Sequence, residues 1–153
     1  ARFAFRPREL PSAGPIRMIA VCRLVEKKGL DHAVRAFASA RSRFEHDVSL
    51  EIAGTGPCEH ALRALIDQLG VADRVRLIGW VPSASMHTFV AAAHILVAPS
   101  ITASDGDGEG IPVALIEAMA SGMPVLSTRH SGIPELVEDG VSGCLAPEGD
   151  VEA

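Results

Sequence analysis

The chain has 153 residues, a formal net charge of −5, and 48% hydrophobic but only 4% aromatic residues. This length suits one domain, with a core that buries roughly 70% of the unfolded surface. The acidic balance excludes the basic face of a general nucleic-acid binder, and no apolar run reaches the ~20 residues that cross a bilayer. Three scattered cysteines, Cys22, Cys58 and Cys144, lack CxxC spacing and are interpreted as small buried hydrophobes.

The two ends of the chain are typical of a piece of a longer protein. Prolines and a glycine among charged residues predict a linker over residues 1–15, followed by a domain over residues 16–153. The start has no apolar segment of a signal peptide, so we expect a cytoplasmic location. The last residues, GDVEA, resemble the opening turn of a helix with Asp150 as a candidate N-cap.

Strand and helix patterns alternate along the predicted domain. Apolar segments predict six strands, over residues 16–22, 48–54, 74–81, 94–100, 124–128 and 142–147. Helical spacing predicts helices over residues 29–44, 58–70, 83–93 and 112–121, and a short helical turn over 133–139. Ser83 is a candidate N-cap and Pro112 a candidate first helical residue. This alternation predicts an α/β fold, a Rossmann-like doubly wound parallel sheet, in which ligands bind beyond the carboxyl ends of the strands.

The loops after the first three predicted strands differ in what they indicate. The first, RLVEKKG, carries Arg23 at the strand end and Lys28 before a helix. Two cations there could neutralise a diphosphate, although a solvated loop would have the same composition. The second, GTGP, fits neither GxGxxG nor a P-loop and predicts only a turn. In the third, GWVP, Trp80 either flanks a ligand or belongs to the core.

The loop after the fourth predicted strand leads into a helix that starts at Gly-Ile-Pro. With Pro112 at the helix start, the N–H groups of Val113 and Ala114 lack helical partners and have the helix dipole behind them. Gly110 has no side chain to obstruct a ligand that approaches this backbone. The sequence therefore predicts an anion site built from backbone groups.

Two glutamates, Glu109 and Glu117, bracket this helix start. A carboxylate near a helix N-terminus can be simple stabilisation, which accounts in part for Glu109. That explanation does not account for Glu117, which interrupts an apolar stripe of Val113, Ile116 and Ala120. We therefore expect Glu117 to have a functional role.

Metal and hydrolase chemistry are not favoured. The segment DGDGEG matches the start of a calcium loop, but position 12 is Ile116 instead of a bidentate glutamate. None of the six histidines lies in an HExxH motif, and no GxSxG motif is present. His130, in the loop after the fifth predicted strand, is either an ordinary loop residue or part of the site.

Six segments of the chain occur in an order that resembles the C-terminal, nucleotide-sugar-binding lobe of retaining glycosyltransferases of family 4. These enzymes have the two-lobe GT-B fold, so the resemblance implies one lobe of that fold. The segments are CRLVEKKGLDHAVRAF, LEIAGTGP, VRLIGWVP, LVAPS, EGIPVALIEAMASGMPVLST and GIPELVEDGVSGCLAP, and they cover nearly all of residues 16–149. The loops SITASDGDGEGIP and TRHSGIPELV also resemble bacterial exopolysaccharide enzymes such as colanic acid glycosyltransferases.

The resemblance implies a role for each matching residue. It assigns the donor diphosphate and its leaving charge to Arg23 and Lys28, the hydroxyls of the transferred sugar to Glu109, and the ribose hydroxyls to Glu117. It also implies that the sugar and phosphate are lined by the backbone of Gly110, Ile111, Pro112 and Val113. The base would be flanked by the apolar segment that runs from Ile78 to Val81. No metal or other cofactor is expected, since cations and a helix N-terminus supply the electrostatic stabilisation.

The sequence departs from the family pattern at two places. Cys22 stands before Arg23 where glycine is common, and His130 with Ser131 stands where small residues are frequent. The sugar pocket is therefore expected to differ from that of typical members.

The implied function is hexose transfer from a UDP- or GDP-sugar to a glycan or lipid-linked acceptor in polysaccharide biosynthesis. The acceptor would bind an N-terminal lobe. This chain is expected to lack that lobe and a C-terminal helix, so the fragment would bind the donor without transferring the sugar. The exposed interdomain face makes dimerisation of the fragment an expectation. The full-length protein would be cytoplasmic or peripheral at the inner membrane face. Two alternatives stay open: a non-catalytic nucleotide-binding module, and a UDP-sugar epimerase of the same architecture.

Overall fold

A computed structural model describes residues 14–153 together with Phe5, Arg8, Pro11 and Ser12. The predicted linker over residues 1–15 falls largely outside the described residues and stays a prediction. The described chain forms a six-stranded sheet in the order β3-β2-β1-β4-β5-β6, and every neighbouring pair is parallel. Helices connect the strands, so the predicted Rossmann-like doubly wound sheet is confirmed.

The elements follow the predicted alternation. The strands are β1 Ile16–Val21, β2 Val48–Ala53, β3 Val75–Gly79, β4 Ile95–Ala98, β5 Val125–Thr128 and β6 Gly143–Ala146. The helices are α1 Leu30–Ala40, α2 Glu59–Gln68, α3 Ser83–Ala91, α4 Val113–Ala120 and α5 Ile133–Leu136, with 3₁₀ turns at Glu26–Lys28 and Arg41–Arg43. None of the helices in the described part of the chain has the length and apolar character that a membrane crossing requires.

Two predicted helix starts are wrong by one residue. Pro112 and Pro82 are the N-caps of α4 and α3, each with an extended ψ, so Ser83 is the first residue of α3. The Pro112 carbonyl accepts the N–H of Ile116 at 3.4 Å, which is the first i,i+4 bond of the helix, and also that of Leu115 at 3.0 Å, as expected of an N-cap carbonyl. A proline fits the N-cap because its fixed φ is compatible with the extended backbone that enters a helix.

The ends of two helices also differ from the prediction. The first helix changes to a 3₁₀ turn after Ala40, and α5 ends at Leu136. Val137, directly after α5, is extended and buried in the core, and this burial ends the helix. The interpretation of all three cysteines as buried is wrong for Cys144, which is exposed on the edge strand β6.

Two hydrophobic cores lie on the two faces of the sheet. Alternating side chains of β1 enter different cores: Ala20 packs with α1 and α2, and Ile19 packs with α3, α4 and α5. Both side chains have no exposed surface. The sheet is therefore covered on both faces, as a parallel sheet requires.

The strand order reverses direction between β1 and β4. After β1 the chain adds β2 and β3 on one side, and then returns to place β4, β5 and β6 on the other. The connections that leave β1 and β4 therefore run to opposite sides and open a crevice at the carboxyl ends of these strands. This is the part of the sheet where a ligand is expected.

Candidate functional site

A small cavity lies at this crevice, between the ends of β1 and β4 and the start of α4. Its walls include Cys22, Lys28, Pro99, Ser100, Pro112 and Ala114. A larger cavity of about 330 Å³ lies on the α1 side of the sheet and reaches the segment after β6. That larger cavity contains none of the predicted site residues, so the chemistry of the site belongs to the crevice.

The 3₁₀ turn after β1 is fastened to the loop between β4 and α4 (residues 99–112). The Glu26 carboxylate accepts the backbone N–H of Ser104 at 2.8 Å and its hydroxyl at 2.9 Å. The Lys27 ammonium lies 3.0 Å from the Asp107 carboxylate and donates to the Gly108 carbonyl at 3.3 Å. These contacts hold a polar, glycine-containing loop in one position over the strand ends.

The third contact of this turn joins two predicted site residues. The ammonium of Lys28 pairs with the carboxylate of Glu109, and only 15% and 20% of the two side chains are exposed. Each partly buried charge is thus compensated by the other. The Cys22 thiol lies close by, and burial raises its pKa to about 11, with Lys28 lowering and Glu109 raising the value. The thiol is therefore protonated at neutral pH.

Arg23, the other predicted phosphate ligand, directly follows Cys22 at the end of β1. It is exposed, and its guanidinium makes no ion pair with any residue that the structure describes. A guanidinium with free donors beside the crevice is available to an anion. Arg23 and Lys28 thus lie at the same edge of the sheet. Arg23 has no ionic partner among the described residues, whereas Lys28 is paired with Glu109.

The GTGP turn after β2 has a packing role that its sequence did not reveal. A Cβ atom on Gly54 would lie 1.8 Å from the Cys22 carbonyl oxygen, and one on Gly56 would lie 2.4 Å from that of Leu24. These glycines allow the loops after β1 and β2 to lie backbone against backbone. The position of Arg23 between Cys22 and Leu24 therefore depends on them.

The start of α4 presents the predicted backbone groups. The N–H groups of Val113 and Ala114 are the first two of the helix and have no partner within it. Gly110 is exposed, its φ is outside the left-handed region, and an added Cβ would meet nothing within 4 Å. Neither backbone conformation nor packing requires glycine there, so the open space beside the helix start is available to a ligand. Ile111, the residue between them, is half-buried.

Glu117 lies one helical turn after Val113 on the same side of α4, about 6 Å further along the axis. Its side chain is half-buried and makes no hydrogen bond or ion pair with the described residues. The apolar neighbours Val113 and Ile116 are 66% and 46% exposed. A carboxylate without a protein partner has its acceptor oxygens available to hydroxyl groups.

The predicted base-flanking segment is not brought into contact with this cluster. Ile78 is 38% exposed, Trp80 is 71% exposed and Val81 is half-buried, all at the end of the edge strand β3. Since β2 separates β3 from β1, the segment lies roughly 10 Å away across the sheet. Trp80 is therefore a surface residue and the core alternative for it is wrong.

A buried network around His130 is the main feature that sequence reasoning missed. His130 is only 3% exposed, and its Nε2 accepts the backbone N–H of Glu109 at 3.0 Å. Its Nδ1 lies 2.6 Å from the Glu148 carboxylate, whose other oxygen accepts the Thr102 N–H at 2.8 Å. Because Nε2 is an acceptor, the imidazole is neutral with its proton on Nδ1. The Thr102 N–H, followed by the bond with His130, lowers the pKa of Glu148 and keeps it ionised.

One general rule could have found Glu148. Residues directly after each parallel strand lie at the ligand-binding edge, and Glu148 follows the last strand within two residues. No comparable sequence signal marks Glu26, Lys27 or Thr102 as part of the site, because their partners lie in loops remote in sequence. No three His, Cys, Asp or Glu side chains come together as a metal ligand set within the described residues.

The chain matches the family model Glycosyl transferases group 1 over residues 2–153 and belongs to this family. It is 49% identical over 154 residues to the colanic acid biosynthesis glycosyltransferase WcaL of Escherichia coli (strain K12), covering 99% of this chain and 37% of WcaL. It is 47% identical over 142 residues to the amylovoran biosynthesis glycosyltransferase AmsK of Erwinia amylovora, covering 91% of this chain and 34% of AmsK.

A solved structure has the same fold. The structure of Anabaena HepE in complex with UDP and glucose superposes with a TM-score of 0.76 and 26% identity, covering 91% of this chain and 36% of HepE. The chain thus spans 34% to 37% of the length of these proteins. The predicted resemblance to a glycosyltransferase lobe is confirmed.

Proposed function

We propose that this chain is the donor-binding domain of a retaining glycosyltransferase of polysaccharide biosynthesis. The complete protein would transfer a hexose from a nucleotide-diphosphate sugar to a glycan or lipid-linked acceptor. The observation that carries the proposal is that Lys28 and the N-terminus of α4 line one crevice at the switch point of the sheet, with Arg23 directly after Cys22 of the same crevice.

The diphosphate is the part of the donor that this crevice suits best. Arg23 offers a free guanidinium, Lys28 an ammonium, and α4 two N–H groups with its dipole behind them. When the sugar leaves, negative charge develops on the diphosphate, and these positive groups stabilise it, with Lys28 exchanging Glu109 for the phosphates when the donor binds. The same groups replace the electrostatic contribution that a divalent metal would make, so we expect no metal requirement.

The two glutamates suit the two sugars of the donor. A diphosphate competes with Glu109 for Lys28, which frees the Glu109 carboxylate to accept hydroxyls of the transferred sugar beside the open Gly110. Glu117, deeper along α4, would hold the ribose hydroxyls, and the backbone of Ile111, Pro112 and Val113 would line the space between. The segment Ile78–Val81 would flank the base across β2.

The relatives support the substrate class. WcaL and AmsK belong by name to colanic acid and amylovoran biosynthesis, and HepE binds UDP and glucose. Since this chain spans about a third of such proteins, acceptor binding and transfer are assigned to the complete protein. We place that protein in the cytoplasm or at the inner membrane face, and the chain by itself would bind donor without turnover.

Thermal denaturation with UDP, GDP or ADP tests the proposal. A ligand at 100 times its Kd stabilises the folded chain by about 2.7 kcal/mol, so one nucleotide should raise the Tm by several degrees. Glu117→Ala should abolish this increase. Glu59→Ala, at a half-buried position on α2, is the matched control and should keep it. The absence of any shift at millimolar nucleotide, or an unchanged shift in Glu117→Ala, would contradict the proposal.

A further inference from the structure

The imidazole of His130 has one defined role for each nitrogen. Nε2 can accept the Glu109 N–H only while it carries no proton, and Nδ1 must then donate to Glu148. A carboxylate on Nδ1 keeps the ring in this tautomer, which is the part such carboxylates play beside functional histidines. His130, oriented by Glu148, therefore presents Nε2 as an acceptor to the backbone N–H of Glu109.

The same pair holds both ends of the loop between β4 and α4. Glu148 accepts the N–H of Thr102 near the start of the loop, and His130 accepts the N–H of Glu109 near its end. Gly108 lies against the ring, since a Cβ there would be 3.6 Å from His130 Cε1. Ser131, directly after His130, is the one non-glycine residue with positive φ in the described chain (46°), so this turn is held in a strained conformation.

We propose that His130 and Glu148 are positioning residues that fix Glu109 and the anion site at the start of α4, and that a proton on His130 releases them. This inference rests on the proposed function. A protonated imidazole would direct a second N–H at the N–H of Glu109, so an attractive contact would become repulsive. The loop would then move, and the site for the donor would lose its shape.

The groups around His130 determine which protonation event changes the contact with the Glu109 backbone. Glu148 faces Nδ1 from the segment after β6, and the loop presents the backbone of Gly108 and Glu109. Of the charged side chains of that loop, Asp107 pairs with Lys27 and Glu109 with Lys28, and the Asp105 carboxylate accepts the N–H of Asp107 at 2.9 Å. Arg129, the neighbour in sequence, pairs with Asp139. His130 is thus the group whose protonation acts directly on the Glu109 backbone.

The first experiment measures calorimetric affinity for UDP-glucose and GDP-mannose between pH 8 and pH 5.5. These probes are used because their phosphates are diesters, whereas the terminal phosphate of free UDP itself titrates near pH 6. The wild-type chain should bind about tenfold more weakly at the acidic end. His130→Gln keeps an acceptor for Glu109 and a donor for Glu148 without a titrating group, so its affinity should be high and independent of pH. His32→Gln, on α1, is the matched control and should keep the acid loss.

The second experiment needs no ligand. The protection of the Glu109 amide against hydrogen exchange, measured by NMR relative to the base-catalysed intrinsic rate at each pH, should fall at acidic pH in the wild type but not in His130→Gln, and histidine ¹⁵N spectra should place the His130 proton on Nδ1. If exchange behaves in this way but neither probe binds, the positioning pair stands and the proposed function fails. If the probes bind and Glu117→Ala weakens them, while wild type and His130→Gln share the same acid profile, the function stands and this inference is overturned.

Discussion

Two glycines close to the site have opposite reasons to be glycine. Gly29 has a φ of 59°, and a Cβ there would lie 1.9 Å from the Pro99 carbonyl oxygen. Gly110 has neither restriction, because its surroundings are open. The first glycine is therefore required by the fold, whereas nothing in the described structure requires the second.

This contrast gives a pair of expected outcomes. Gly29→Ala should lower the free energy of unfolding by roughly 2–4 kcal/mol, because it combines a left-handed φ with a backbone clash. Gly110→Ala should change it by less than about 0.5 kcal/mol, as at an ordinary surface position, yet weaken nucleotide-sugar binding. Urea denaturation and calorimetric titration of both variants measure the two effects. Normal donor affinity in Gly110→Ala would remove the argument for a ligand at that glycine.

At the scale of elements, the carboxyl ends of α3 and α4 converge on Arg8. Its guanidinium donates to the carbonyls of Val90 at 3.1 Å and of Ala93, and lies 3.5 Å from the hydroxyl of Ser121. The last carbonyls of a helix lack helical partners and carry partial negative charge, so a cation there is stabilising. Burial lowers the pKa of Arg8, but a guanidinium in this position remains charged. One residue of the predicted linker is thus tied to the domain.

Removal of this contact should destabilise the helices that carry the site. Arg8→Ala should lower the free energy of unfolding by about 1 kcal/mol, the typical size of such a helix-end interaction. Arg63→Ala, which removes an exposed i,i+4 pair with Glu59 on α2, is the control and should cost about 0.3–0.5 kcal/mol. Chemical denaturation distinguishes the two. Equal effects of both substitutions would mean that Arg8 contributes only as a surface charge.

At the scale of the whole molecule, two carboxylates hold the β5–β6 end of the sheet: Asp139 joins β6 to the segment after β5, and Glu148 joins the segment after β6 to the loop after β4. The N–H of Leu145, at 2.8 Å, and the nearby Arg129 lower the pKa of Asp139. The Thr102 N–H and His130 lower the pKa of Glu148. A carboxyl group whose pKa is lower in the folded state binds protons more readily when unfolded. Its contribution to stability is therefore present above the unfolded pKa and is lost as pH falls through the folded value.

The stability of the chain should consequently fall below about pH 4.5, where unfolded carboxylates begin to take up protons. Asp139→Asn and Glu148→Gln should each lower stability at neutral pH and flatten the acid-dependent part of the curve. Glu45→Gln, at an exposed position after α1, should leave the curve unchanged. Thermal denaturation from pH 3 to pH 7 measures all three. A wild-type slope retained in Asp139→Asn and Glu148→Gln would assign the acid sensitivity to other groups.

Much of the fold could be predicted because the responsible signal is local. The apolar run of β1, the 3.6-residue spacing of α1 and the Gly-Ile-Pro start of α4 each identify an element within a few residues. The exact helix starts after Pro82 and Pro112 could not be predicted, since a proline fits both the N-cap and the first helical position. The exposure of Cys144 could not be predicted either, because it depends on β6 being an edge strand.

The sequence by itself determined the order of strands and helices and the chemical groups that follow each strand, including Arg23, Lys28, Glu109 and Glu117. Only the tertiary structure decided which of these groups meet. Lys28 and Glu109 are 81 residues apart and become partners because β4 lies beside β1. Hydrophobic periodicity places a residue on a face of its own element, whereas hydrogen bonds between loops depend on how crossovers arrange distant strands. The buried imidazole of His130, with Glu109 on one nitrogen and Glu148 on the other, exists only in that arrangement.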